Sequence, residues 1–145
     1  MLFRSASTTD SAPHRDAIVA TDSTSVDAAA AVIREYYGAI QARDYRRAYR
    51  LWEGGGAASG QTYERFAVGF AGTARVAVAL GKPGRMDAAA GSRYVEIPVT
   101  IRAVTRGGGE QVFEGSYVLR RSVVDGATEA QRRWHIYSAK IRAVS

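Results

Sequence analysis

The chain has 145 residues, of which 46% are hydrophobic, and these values are typical of one folded domain rather than of a disordered chain. It contains no cysteine, which excludes disulfide bonds, a thiol nucleophile and metal sites built from cysteine. The net charge of +6 would suit a nucleic-acid partner. The arginines are spread over the whole chain, however, so we do not expect nucleic-acid binding.

The first segment, residues 1–25, is rich in Ser, Thr, Asp and Ala and has no helical or alternating apolar pattern. This composition predicts a disordered lead to a single domain that spans residues 26–145. We expect residues 1–5, MLFRS, to be an artefact of sequence assembly, because the end of a common sequencing adapter encodes the same five residues. The natural N-terminus and any export signal would then be missing; the alternative is a short cytoplasmic tail. The chain has no apolar run long enough for a signal peptide or a membrane span.

Two helices are predicted at the start of the domain. The first covers residues 27–43, and a hydroxyl of Thr24 or Ser25 is expected to cap its first turn. The second begins after Asp44, and the glycine run at residues 54–56 is expected to end it. The apolar stripes of the two helices are Ala29, Ile33, Tyr36, Tyr37 and Ile40, and then Tyr45, Ala48, Tyr49 and Trp52. The arginines of the second helix lie on its opposite side, so we expect them to face solvent.

A third helix is predicted from Gln61 or Thr62, with Gly72 at its C-terminal cap. Its apolar residues recur at helical spacing. They are Tyr63, Phe66, Ala67 and Phe70. These three helices come before any predicted strand.

After the third helix the apolar pattern changes to a period of two, which predicts strands. The strands cover residues 74–81, 94–105, 111–123 and 133–144, with a short edge strand within 85–90 and a polar loop at 125–132. One face of these strands consists of Val76, Val78, Leu80, Val95, Ile97, Val99, Ile101, Phe113, Tyr117, Leu119, Trp134 and Ile136. We expect this face to lie against the helices. The predicted fold class is α+β, with three N-terminal helices on an antiparallel sheet of four to five strands.

The motif I-x-x-Y-Y-x-A-I-x-x-x-D-Y-x-x-A-Y-x-L-W, from Ile33 to Trp52, resembles the nuclear transport factor 2-like (cystatin-like) superfamily, as does W-x-I at Trp134 and Ile136. The resemblance covers residues 26–145. It implies a sheet curved into a cone whose apolar mouth can hold a small molecule. The stretch LWEGGGAASGQTYERFAVGF resembles uncharacterised bacterial members, many of which look like exported or lipid-anchored envelope proteins. It implies a periplasmic or membrane-anchored location if the N-terminus is truncated, and a cytoplasmic one otherwise.

Several members of this superfamily are enzymes, such as those similar to ketosteroid isomerase, scytalone dehydratase and SnoaL-like cyclases. Enzymes of this shape need acid–base groups that point into the cone. Strand alternation places Tyr117 on the predicted inner face, but it places Glu96, Glu114 and His135 on the opposite face. The chain has no His and carboxylate spacing that suits a metal ion. We therefore predict no catalytic residue, no metal site and no cofactor.

The tyrosines and their neighbours on the helical stripes are the remaining candidates for a binding site, because a buried tyrosine hydroxyl near the cone mouth can bind a ligand. The expected pocket lining is Tyr37, Trp52, Tyr63, Phe66 and Tyr117. The sequence thus favours a non-catalytic domain of the bacterial cell envelope that binds a small hydrophobic ligand or another protein. Two alternatives remain open: an isomerase, dehydratase or cyclase, and a module that dimerises through the outer sheet face.

Overall fold

The computed structural model describes residues 22–144, which form four α-helices, one 3-10 helix and five strands. The α-helices are α1 (Val26–Gln41), α2 (Tyr45–Arg50), α3 (Tyr63–Val68) and α4 (Glu129–Arg132), and the 3-10 helix is Ala57–Ser59. The strands are β1 (Thr73–Leu80), β2 (Asp87–Ala89), β3 (Ser92–Thr105), β4 (Glu110–Ser122) and β5 (His135–Ala143). Of the lead predicted for residues 1–25, positions 1–21 lie outside the described residues. Between residues 22 and 144, no helix is long and apolar enough to cross a membrane.

Short polar side chains begin the first three helices; Asp44 is the predicted cap, and Ser25 and Thr62 are each one of the two residues considered. The Ser25 hydroxyl accepts the N–H of Ala28 at 3.1 Å, and the Asp44 carboxylate accepts the N–H of Arg47 at 3.3 Å. Thr62 caps α3 in the same way. Each cap satisfies a backbone N–H that has no partner within its helix.

The predicted helix ends were wrong, and the reasons differ. α2 ends at Arg50, before the glycine run, because the Leu51 carbonyl accepts the N–H of Ile136 at 2.8 Å and so pairs with β5. α1 ends at Gln41, since Arg43 adopts a left-handed conformation with φ of 62°. α3 ends at Val68, and its C-terminal cap is Gly69 rather than Gly72.

The five strands form one antiparallel sheet in the order β1-β3-β4-β5, and β2 also pairs with β3. The predicted α+β class with an antiparallel sheet is therefore confirmed. The prediction of a loop at residues 125–132 was wrong in part, because α4 occupies its second half. Thr128 and Gln131 form a capping box there, in which each side chain accepts the other residue's backbone N–H and so stabilises a single helical turn.

The core lies between the first three helices and one face of the sheet. All the residues predicted for the inner face belong to this core or pack against it. β5 contains a bulge at Tyr137, because Leu119 pairs with Ile136 whereas Val118 pairs with Ser138. The extra residue reverses the alternation beyond it. Ile141 therefore also packs against the core, which the sequence did not predict.

Candidate functional site

Five aromatic side chains from four elements meet in the core. Tyr36 and Tyr37 come from α1, Trp52 follows α2, Phe66 comes from α3 and Tyr117 from β4. All five are buried, and the ring centroids of their contacting pairs lie 5.0 to 6.3 Å apart. Most of these pairs are edge-to-face, a geometry that stabilises each pair by about 0.5–1.5 kcal/mol beyond its buried area.

The hydroxyls of Tyr37 and Tyr117 are hydrogen-bonded to each other within this cluster. Burial raises the pKa of both phenols well above the ordinary value, so both are neutral at physiological pH. A hydroxyl donates one hydrogen and accepts up to two. One O–H of the pair is therefore left to donate to a third group.

A cavity of about 240 Å³ opens next to Tyr37, between the helices and the end of the sheet. Its walls consist of Tyr37, Gly69, Phe70, Thr73, Val76, Ile101, Ala103, Gln111, Phe113 and Ile141. A cavity of roughly 150 Å³ can admit benzene, and drug-sized ligands occupy roughly 300–1,000 Å³. The volume next to Tyr37 therefore suits a molecule of one or two rings.

The chemistry of this lining is largely apolar, and it contains no carboxylate, imidazole or cationic side chain. Glu96 and Glu114 are exposed, and both lie on the outer face of the sheet, because they alternate with the inward residues of β3 and β4. His135 lies at the start of β5, where it pairs with Arg120 and lines a different cavity. The groups that contact the cavity can therefore position a ligand by shape and by the few polar groups of Tyr37, Thr73 and Gln111.

The five predicted lining residues do not form a single wall. Tyr37 lines the cavity, whereas Trp52, Phe66 and Tyr117 lie in the aromatic cluster next to it. Tyr63 lies apart from them: its ring contacts Tyr49 at 5.6 Å between centroids, and the guanidinium of Arg46 lies 4.1 Å above it. That cation–π contact explains the half-buried position of Tyr63.

Most of the other residues that line the cavity could be predicted from the sequence pattern. Val76, Ile101 and Phe113 were predicted for the inner face, and Phe70 belongs to the predicted stripe of α3. Their shared position at one end of the sheet follows from the β3–β4 register, in which Ile101 pairs with Phe113. Ile141 could not be predicted, because its place depends on the bulge. Neither could Thr73 and Gln111, which are polar and lie at strand ends.

Comparisons with known proteins were without a match. No family model matches the chain, and no curated protein or solved structure is significantly similar to it. The function of the cavity therefore has to be inferred from its own residues.

Proposed function

We propose that the protein binds a small hydrophobic molecule in the cavity next to Tyr37 and does not transform it chemically. The observation that carries the proposal is the combination of a volume of about 240 Å³ with a lining of aromatic and aliphatic side chains. Burying apolar ligand surface there contributes roughly 25 cal/mol per Å². That contribution is offset by the loss of ligand freedom, so we expect modest affinity.

The ligand class follows from the hydroxyl pair next to the cavity. If Tyr117 is the donor within the Tyr37–Tyr117 pair, the O–H of Tyr37 is free, and a ligand carbonyl that reaches Tyr37 would accept its hydrogen. A buried donor favours a ligand that accepts its hydrogen bond over one that leaves it unsatisfied. We therefore propose a ligand of one or two rings that carries one carbonyl group.

The fold and location belong to the same proposal. Helices before β1, followed by a meander of strands, support a nuclear transport factor 2-like cone, in which the cavity would be the mouth. The motif from Ile33 to Trp52 supports the same superfamily. A place in the bacterial cell envelope rests on the resemblance of residues 51–70 alone. A role in binding another protein remains the broader form of this proposal.

Binding is a better proposal than catalysis for this cavity. An isomerase or dehydratase needs a group that takes up or releases a proton near neutral pH. Tyr37 is the lining residue with an ionisable side chain, and burial moves its pKa away from neutrality. The bulge at Tyr137, which could have brought a new acid or base inward, brings Ile141 inward instead.

The test uses 1-indanone, a bicyclic ketone, and indane, which has the same rings without the carbonyl. In amide NMR titrations we expect 1-indanone to shift signals of β3, β4 and α3, with a dissociation constant about tenfold lower than that of indane. Tyr37→Phe should reduce this difference. If both compounds leave these signals unchanged, the proposal is wrong.

A cavity-filling variant supplies the control for the position of the ligand. Ala103 lines the cavity and is buried, whereas Ala77 on β1 is exposed. We expect Ala103→Leu to abolish 1-indanone binding and Ala77→Leu to leave it unchanged. Circular dichroism would verify that both variants are folded. Unchanged binding by folded Ala103→Leu would contradict the proposed position.

A further inference from the structure

A second cavity, of about 440 Å³, lies between the glycine loop after α2, strand β4 and helix α4. Its polar lining includes Glu53, Arg120, Ser122, Gln131 and His135. Leu119 is in the core, so strand alternation directs Arg120 to the opposite face of the sheet. The cavity is therefore separate from the one next to Tyr37, and its volume falls within the range of small-molecule sites.

Arg120 is held in place from two sides. Its Nε donates to the Ser92 hydroxyl at 2.9 Å, and its Nη1 donates to Glu53 Oε1 at 3.0 Å. The Glu53 carboxylate raises the pKa of the guanidinium, which stays charged. A guanidinium has five N–H groups. Among residues 22–144, Nη2 has no hydrogen bond of normal geometry, and the Tyr94 hydroxyl is close enough to the guanidinium to raise its pKa as well. A fixed, charged donor therefore remains available at the cavity wall.

Hydrogen-bond acceptors lie beside this donor. Oε1 of Glu53 binds Arg120. Within residues 22–144 the second carboxylate oxygen has no hydrogen-bond donor, so it can accept from a ligand. The Nδ1 of His135 lies 3.1 Å from the carbonyl oxygen of Arg133. A carbonyl oxygen can only accept, so Nδ1 carries the hydrogen of this contact and Nε2 is the ring nitrogen left for a ligand.

Gln131 adds a second donor to the same wall. Its side-chain oxygen accepts the N–H of Thr128 at 2.8 Å, which fixes the orientation of the amide. The NH₂ group is therefore left for a ligand. The cavity thus combines donors from Arg120 and Gln131 with acceptors from Glu53 and His135.

We infer that this cavity binds a small zwitterion of the α-amino acid class. Its carboxylate would bind Arg120 and Gln131, and its ammonium group would bind Glu53 and His135. The site presents a positive and a negative group 3.0 Å apart, and an α-amino acid carries its two opposite charges on groups attached to the same carbon. A simple anion would face the repulsion of Glu53, and a simple cation that of Arg120, so neither matches the site as well.

The test compares alanine, lactate and propanoate, which differ only in the ammonium, hydroxyl or hydrogen substituent at the carbon next to the carboxylate. In amide NMR titrations at neutral pH we expect alanine to shift the signals of Gly54, Gln131 and His135 in a saturable way. Lactate should bind about tenfold more weakly than alanine, and propanoate more weakly still. Equal affinities for alanine and propanoate, or no shift with alanine, would overturn the inference.

Two variants test the separate charges. Glu53→Gln keeps the oxygen that accepts from Arg120, and we expect it to weaken alanine binding about tenfold without weakening propanoate binding. Arg120→Lys should weaken all three ligands, because an ammonium group lacks the planar fork that binds Ser92 and Glu53 and still presents a further N–H group. Arg102→Lys, on an exposed position of β3, is the matched control and should change none of them.

The tests of the two cavities can fail independently of each other. Glu53→Gln should leave 1-indanone binding unchanged, because Glu53 does not line the cavity next to Tyr37. If folded Glu53→Gln binds alanine as tightly as the unaltered protein does, the zwitterion site is wrong, whatever the result at the apolar cavity.

Discussion

Tyr37 and Tyr117 are separated by 80 positions in the chain, yet their hydroxyls are hydrogen-bonded to each other. Each hydroxyl is buried among aromatic rings, and a buried hydroxyl that loses its partner cannot turn to water instead. The inward direction of both side chains follows from local periodicity. Their hydrogen bond depends on where α1 crosses β4, which the sequence pattern does not contain.

A double-mutant cycle tests this dependence. Tyr37→Phe should lower the free energy of unfolding by about 1–3 kcal/mol, since it leaves the Tyr117 hydroxyl without its partner. Adding Tyr117→Phe removes that orphaned hydroxyl, so the double variant should lose less than the sum of the two single losses. Urea denaturation measures all three. Tyr137→Phe, at an exposed tyrosine, is the control and should change the free energy of unfolding by less than about 0.5 kcal/mol. If the losses of the two single variants simply add in the double variant, the two hydroxyls do not stabilise each other.

Alkaline pH offers a second test at the residue scale. Burial raises the pKa of Tyr36, Tyr37 and Tyr117 above the ordinary value of 10.0. Above pH 10 the unfolded chain releases protons that the folded chain retains, so the stability contributed by the raised pKa values is full below that pH and falls as the pH rises. The loss is about 1.4 kcal/mol per pH unit for each such tyrosine. Urea denaturation between pH 9 and 12, roughly the range around the tyrosine pKa, measures this loss. With rising pH, the free energy of unfolding of Tyr117→Phe should fall less steeply than that of the unaltered protein.

At the scale of elements, the pairing of β4 with β5 departs from regular geometry. The bulge at Tyr137 shifts their register, and three residues further on the Lys140 carbonyl lies very close to Gly115. A Cβ at Gly115 would overlap that carbonyl oxygen. Close backbone approach of this kind is one reason for glycine within a strand.

Gly115→Ala should therefore destabilise the protein. We expect a loss of at least about 2 kcal/mol in the free energy of unfolding, because backbone atoms of β5 have to move. Urea denaturation measures it. Gly107→Ala in the β3–β4 loop is the matched control, since its Cβ would meet no atom closer than 3.9 Å; similar losses in both variants would contradict the close approach.

The same substitution should have the opposite effect in α1. Gly38 lies within the helix at an exposed position, and a Cβ there would meet nothing within 4 Å. Gly38→Ala should raise the free energy of unfolding by about 1 kcal/mol, because alanine loses less backbone entropy in a helix. Thermal denaturation would detect the increase, and a decrease would show that Gly38 has a packing role.

At the scale of the whole molecule, the two sheet edges and the outer face determine whether copies associate. The β1 edge is covered by the end of α1 and the turn after it: Gln41 accepts the N–H of Val76 at 2.8 Å, and Arg43 donates to the carbonyl of Ala74 at 3.1 Å. At the β5 edge, Trp52 forms a bridge with Ile136. The exposed residues of the outer face include Glu96, Arg102, Glu114, Lys140 and Arg142, and charged residues are depleted at the centres of stable interfaces.

We therefore expect a monomer rather than the dimer that the sequence left as an alternative. Sedimentation equilibrium at high micromolar concentration should give the mass of one chain. A concentration-dependent dimer that Tyr137→Lys disrupts would instead support association through the outer face, where Tyr137 is an exposed aromatic side chain.

The sequence by itself determined the α+β class, the cap at Asp44 and the inward faces of β1, β3 and β4. These features depend on neighbours within a few positions, through capping hydrogen bonds and the periods of helix and strand. Only the tertiary structure decided that α2 ends at Arg50, that Ile141 faces the core and that Glu53 binds Arg120. Each of these depends on hydrogen bonds or ion pairs between distant segments, and both cavities are bounded by such segments.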